Sequence, residues 1–152
     1  MSIRMSTGAM NSILSSASFK DTFANGVLCI YSGPQPANAD MVETGDLLAE
    51  VTIDGAAFTP GGGVGLNFAD AVGKAISKEA GETWKGNYLT AGTMGWFRFY
   101  ANDKTTGAST AAIRLDGNIG TSRADIIVTS TVATVGGSIT FDEFTLNFSI
   151  LQ

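Results

Sequence analysis

The spacing of apolar residues changes near Gly26. Before it, Met10, Ile13, Leu14 and Ala17 fall at i, i+3, i+4 and i+7, which marks one apolar stripe on a helix. Ser6 or Thr7 supplies a capping oxygen for the first free amides, Ser18 with Asp21 forms a weak capping box ahead of Phe23, and Asn25-Gly26 is a good terminator. Residues 6–25 are therefore predicted as one kinked helix or two short ones.

From Val27 onward the period is two, or short apolar runs bounded by turn residues. The pattern predicts strands at Val27–Tyr31, Leu47–Ile53, Ala71–Lys78, Thr83–Leu89, Trp96–Ala101, Ala112–Leu115, Asp125–Ser130 and Ser138–Ile150. Segments rich in Gly, Pro, Asn and Asp separate them, among them "SGPQPANAD", "DGAAFTPGGGVG" and "DGNIGTS". About eight closely spaced strands without alternating helices predict a mainly β fold. The expected architecture is an antiparallel β-sandwich or jelly roll with an N-terminal helix, divided into a helical arm, 1–25, and a β-sandwich domain, 26–152.

Two stretches carry finer information. In the last predicted strand Ile139 and Phe141 have one parity, whereas Phe144, Leu146, Phe148 and Ile150 have the other. One extra residue at Asp142-Glu143, a β-bulge, would return all six to one face and mark a bend where the strand passes between sheets. In "GWFRFY", Phe97 and Phe99 point one way, into the core, and Trp96, Arg98 and Tyr100 point the other. Exposed, that triplet would be an interface patch; covered by the N-terminal helix, it would be a second core. The helix needs apolar surface to lie on, which favours the second.

Composition narrows the function classes. A chain of 152 residues with 44% apolar content matches one domain with a sizeable core. Charged residues make up only 15%, against about 25% in ordinary soluble domains. Either neighbours cover much of the exterior or its polarity comes from Ser and Thr. Fourteen acidic and nine basic residues give a charge of -5, and no basic run exists to follow a phosphate backbone, which disfavours direct nucleic-acid binding. Cys29, within an apolar run, reads as a small buried hydrophobe. The N-terminal stretch is too broken by Ser, Asn and Gly for a signal-peptide core, and no window reaches the roughly 18 apolar residues of a membrane helix. A protein made in the cytoplasm, with no membrane partner, is expected.

Reactive chemistry has little to stand on. Without histidine there is no Ser-His-Asp or Cys-His arrangement and no His-based metal site. "TPGGGVGLNF" lacks the Gly-Lys-Ser/Thr ending of a phosphate-binding loop. Asp40, Glu43 and Asp46 lack the alternating ligands of a calcium loop, and Asp54-Gly55 and Asp116-Gly117 read as turns. Trp84, beside Lys85-Gly86 and Tyr88, is either a sugar-stacking platform or core. No catalytic, cofactor-binding or metal residue is assigned, and no cofactor. The candidate interface residues are Met10, Ile13, Leu14, Ala17, Trp84, Tyr88, Trp96, Arg98 and Tyr100.

Three stretches together, "NGVLCIYSGPQPANADMVETGDLLAEVTI", "GWFRFYAND" and "RLDGNIGTSRADIIVTSTVATVGGSITFDEFTLNF", give the chain a likeness over most of its length. It resembles small virion structural proteins of tailed bacteriophages, of the decoration or tail-associated type. The resemblance implies a non-enzymatic subunit of the particle, with major capsid or tail proteins and further copies of itself as partners. A capsid decoration or cement subunit is the first expectation. A tail-tube or head-to-tail connector subunit and a receptor- or carbohydrate-binding virion module are the alternatives. The resemblance carries no functional residue with it.

Overall fold

The computed structural model describes residues 3–148. It is mainly β: a nine-stranded, largely antiparallel sheet and a two-stranded sheet, with a short helical segment near the N-terminus. The main sheet runs β1 (Arg4–Met5), β7 (Arg114–Gly120), β6 (Gly92–Tyr100), β2 (Val27–Ser32), β3 (Leu47–Ile53), β5 (Trp84–Tyr88), β10 (Ser138–Phe141). Two short strands extend it: β8 (Ile126–Ile127) lies parallel to β7, and β9 (Val132–Ala133) antiparallel to β6. The small sheet pairs β4 (Ala75–Ser77) with β11 (Thr145–Asn147).

The N-terminal segment forms two short helices, α1 (Thr7–Ser15) and α2 (Phe19–Thr22). Ser6 and Ser18 cap them, accepting from the amides of Ala9 and Asp21. This segment does not stand off as an arm. Arg4–Met5 adds a strand to β7, Ser6 Oγ donates to Ala112 O, and Ala9 and Phe23 are fully buried in the main core. Gly8 permits the approach, because a Cβ there would collide with the Ala111 carbonyl.

Both faces of the central strands are covered. One face carries Leu28, Ile30, Val51, Phe97, Phe99 and Leu115, packed under α1, α2 and the small sheet. Phe144 touches the rings of Trp84 and Phe97, and Phe23 touches Phe99, so the covering elements are held by edge-on and tilted aromatic contacts. Each such buried aromatic or aliphatic side chain contributes roughly 1.5–3 kcal/mol. The opposite face carries Val27, Cys29, Tyr31, Trp96 and Tyr100, with Leu47 and Phe58 against them. On β2 every residue from Val27 to Tyr31 is buried, alternately in one core and the other.

The expected strands differ from the observed ones in instructive places. Residues 116–120 of "DGNIGTS", expected as a turn, belong to β7, with Asp116 opposite Arg98 and Gly117 opposite Phe97. A Cβ at Gly117 would lie 2.5 Å from the Phe97 ring, so this glycine makes room for an aromatic neighbour. The C-terminal stretch does change sheets at Asp142-Glu143: β10 pairs with β5 in the main sheet and β11 with β4 in the small one. The expected single strand with a bulge is two separate strands, yet Ile139, Phe141, Phe144, Leu146 and Phe148 all join the main core. Ile150 lies outside the described residues.

Candidate functional site

The polar groups best placed for chemistry sit on the second face, where β6 and β7 run side by side. Arg98 Nε and Nη2 donate to the two oxygens of Asp116 at 2.7 and 2.8 Å, and both side chains are completely buried. Arg98 Nη1 also donates to Met41 O and to Glu43 Oε1, each at 3.0 Å. Glu43 Oε1 accepts from the Tyr100 hydroxyl at 2.7 Å and Glu43 Oε2 from the Gly107 amide at 3.0 Å. Tyr100 and Tyr31 share a hydroxyl–hydroxyl bond of 2.8 Å. Arg114, equally buried, donates to Thr105 O, Gly107 O and Ala39 O.

The electrostatics follow from this enclosure. Burial works against the Arg98 charge, but the Asp116 carboxylate outweighs it and raises the guanidinium pKa. Burial pushes the Asp116 carboxyl up against the pull of Arg98. Burial also opposes ionisation of Glu43, yet hydrogen bonds from Tyr100 and the Gly107 amide, with the Arg98 charge, hold its pKa below the usual carboxylate range. Burial raises Tyr100, Tyr31 and Cys29 far above their ordinary values. Among the described residues no buried side-chain polar atom is left without a partner. The network therefore works as a clasp: it holds residues 33–46 and 103–109 down on the sheet.

That clasp corrects one expectation. Trp96, Arg98 and Tyr100 are covered, but by the loop 33–46 and not by the N-terminal helices, which lie on the opposite face. The Trp96 indole N–H donates to Thr44 O at 3.2 Å, and its ring stacks on Tyr31. Asp40, Glu43 and Asp46 do not converge. Asp40 accepts from the Thr7 amide and hydroxyl, Glu43 faces Arg98, and the Asp46 amide donates to Ser32 Oγ. The role of Glu43 is not legible in the sequence because its partner Arg98 lies 55 positions away; an arginine among aromatics was the available signal.

The candidate interface residues separate by burial. Trp84, Trp96, Arg98 and Tyr100 are interior side chains, which removes them from any surface of this fold. Trp84 packs against Phe68 and Phe144, with its indole N–H on Glu82. Ile13 and Tyr88 are partly buried against the main core, and Ala17 is half-buried. Met10 and Leu14 stand at the surface.

A second place was not foreseen. A groove of about 950 Å³ runs between residues 124–132 and residues 138–145, with Tyr88 at its side. Ile126, Phe141 and Phe144 in its wall belong to the main core. Its mouth is bordered by the exposed side chains of Ile127 and Val132. Asp125, Asp142 and Glu143 line it, and among the described residues no lysine or arginine does. Comparison with protein families, with curated proteins and with solved structures returns no match for this chain.

Proposed function

We propose that the chain is a non-enzymatic structural subunit of a tailed-phage virion, a capsid decoration or cement protein that stabilises the particle through repeated contacts. The observation that carries this reading is the division of its side chains. The cationic and acidic groups of the clasp are locked inside, whereas Met10, Leu14, Met41, Val42, Val72, Leu89, Ile127, Val132 and Val135 stand exposed. Apolar surface on a weakly charged exterior suits contact with neighbouring subunits. Each copy would bind modestly, and many simultaneous contacts would supply the rest.

The small sheet and helices over one face of the main sheet are our reason for reading the domain as sandwich-like. A tail-tube or connector subunit is the second reading, favoured by the outer edge of β10, which has no strand partner among the described residues and on which another chain could continue the sheet. Of the aromatic side chains that a carbohydrate-binding module could offer, Trp84 and Trp96 are buried and Tyr88 is partly exposed at the side of the groove, which makes this the least supported reading. On this proposal the protein is made in the bacterial cytoplasm and ends in the virion, as a homo-oligomer or in contact with capsid or tail proteins.

The test is addition of purified protein to shells that lack it. Decoration predicts saturable binding and a higher temperature of shell rupture. Rings or cylinders of the isolated protein under the electron microscope would move the reading to the tail, and shells unchanged in mass and heat resistance would remove the first one.

A further inference from the structure

The groove has the features of a slot for a missing strand. β10 is the last strand of the main sheet, so one of its edges has no strand partner among the described residues. The Tyr88 amide donates to Gly137 O, and the register pairs Ile139 with Gly86 and Phe141 with Trp84. In an antiparallel ladder, alternate residues turn their peptide groups to opposite sides. Ser138 and Thr140 therefore direct N–H and C=O away from β5, towards the open edge. Across the groove, the Val128 amide donates to Gly120 O on β7, so the intervening Ile127 turns its own peptide groups away from β7. Two strand edges with hydrogen-bonding capacity thus border one partly apolar channel.

Edges of this kind are normally guarded by lysine, proline or a bulge. The sequence of β10, Ser-Ile-Thr-Phe, contains none of these. In the lining of the groove, Ile127 and Val132 leave apolar side chains exposed. The charge lining the channel is wholly acidic, with Asp142 and Glu143 exposed at the β10 end.

We propose that the groove binds an extended segment of another protein by strand addition: a peptide with alternating apolar residues and with lysine or arginine at its ends. The β10 edge supplies main-chain hydrogen bonds, the channel takes alternate side chains, and Asp142 and Glu143 select a basic flank. Among the described residues, a second copy of this chain does not offer such a segment. Its lysine-flanked strand β4, between Lys74 and Lys78, is bonded to β11 on one side and to residues 69–72 on the other. β1 is two residues long and already paired to β7.

The inference deepens the assembly reading, in which the segment would come from a neighbouring virion subunit. The probe is a labelled peptide of about eight residues alternating Val and Thr with lysine at both ends, titrated into the full-length protein and followed by fluorescence anisotropy. Saturable binding is expected, at least about tenfold weaker for the same peptide with glutamate ends. Methylating the peptide's amide nitrogens should abolish binding. Thr140→Pro removes an outward N–H without touching the ladder to β5, so it should weaken binding at least about tenfold in a protein whose melting curve is unchanged. Should that variant misfold, Asp142→Lys/Glu143→Lys serves instead and should reverse the preference between the two peptides. Absence of binding, equal binding of the methylated peptide, or sedimentation showing that second copies fill the groove would overturn the proposal. Peptide binding without decoration of shells would defeat the assembly reading and leave the strand slot standing.

Discussion

Arg98 and Asp116 face each other across adjacent strands and join through two parallel hydrogen bonds of 2.7 and 2.8 Å, with neither side chain touching solvent. The pair is a desolvated ion pair bridging β6 and β7, so its two halves depend on each other. Arg98→Met should cost about 3–5 kcal/mol, because it leaves the Asp116 carboxylate buried without its hydrogen-bonded partner. The double variant Arg98→Met/Asp116→Leu should cost much less than the sum of the single changes. Denaturant titration of the four proteins checks this; additive losses would show that the pair is not coupled.

Glu43 makes the clasp sensitive to acid. Its folded pKa is depressed, so its contribution is present above the unfolded value of about 4.3 and is lost as pH falls through the folded pKa. Stability should therefore drop below about pH 4.3 more steeply in the native protein than in Glu43→Gln, which cannot titrate there. Melting temperatures of both proteins between pH 3 and 7, a range of roughly four units spanning that value, give the comparison. Parallel curves would mean that Glu43 does not hold the loop.

Cys29 lies in the second core with its thiol pKa raised by burial, so the reactive thiolate is scarce and enclosed. Iodoacetamide at mildly alkaline pH should leave the native protein unmodified and label it fully in denaturant. Mass spectrometry reads the outcome directly, and rapid native labelling would contradict the closed second core.

Ile13 and Leu14 are neighbours with different surroundings. Ile13 packs on the main core, whereas Leu14 is 76% exposed. Ile13→Ser should cost roughly 1–3 kcal/mol of stability. Leu14→Ser should stay within about 0.5 kcal/mol of the native protein, and should weaken particle binding if this helix face is a contact. Thermal melts and shell-binding assays on the two variants separate the roles.

Trp84→Ala should lose roughly 3–5 kcal/mol, since the indole fills space between Phe68 and Phe144. Calorimetry measures it. A stable variant that lost affinity for a glycan would return Trp84 to the surface.

Local periodicity made part of this architecture readable in advance. Parity alone put Phe97 and Phe99 in one core and Trp96, Arg98 and Tyr100 on the other face, and serine spacing marked both helix starts. What periodicity does not encode is which distant segment covers a face. Glu43 meets Arg98, and Arg4–Met5 meets Leu115-Asp116, over separations that no window along the chain contains. Asp116-Gly117 has the composition of a turn, and the close approach of the Phe97 ring and the Ile3 side chain explains a strand glycine there. The groove was invisible for the same reason, since it lies between two edges that the sheet brings together.

β2 holds five consecutive residues, Val27 to Tyr31, all of them buried. Such a segment has no silent positions: a polar replacement at any of them strands a hydrogen-bonding group in one compartment or the other. Sequence drift must then be absorbed elsewhere, and the turn around Gly61 and Gly63, where an added Cβ would meet open space, is a natural point to insert a tag or label.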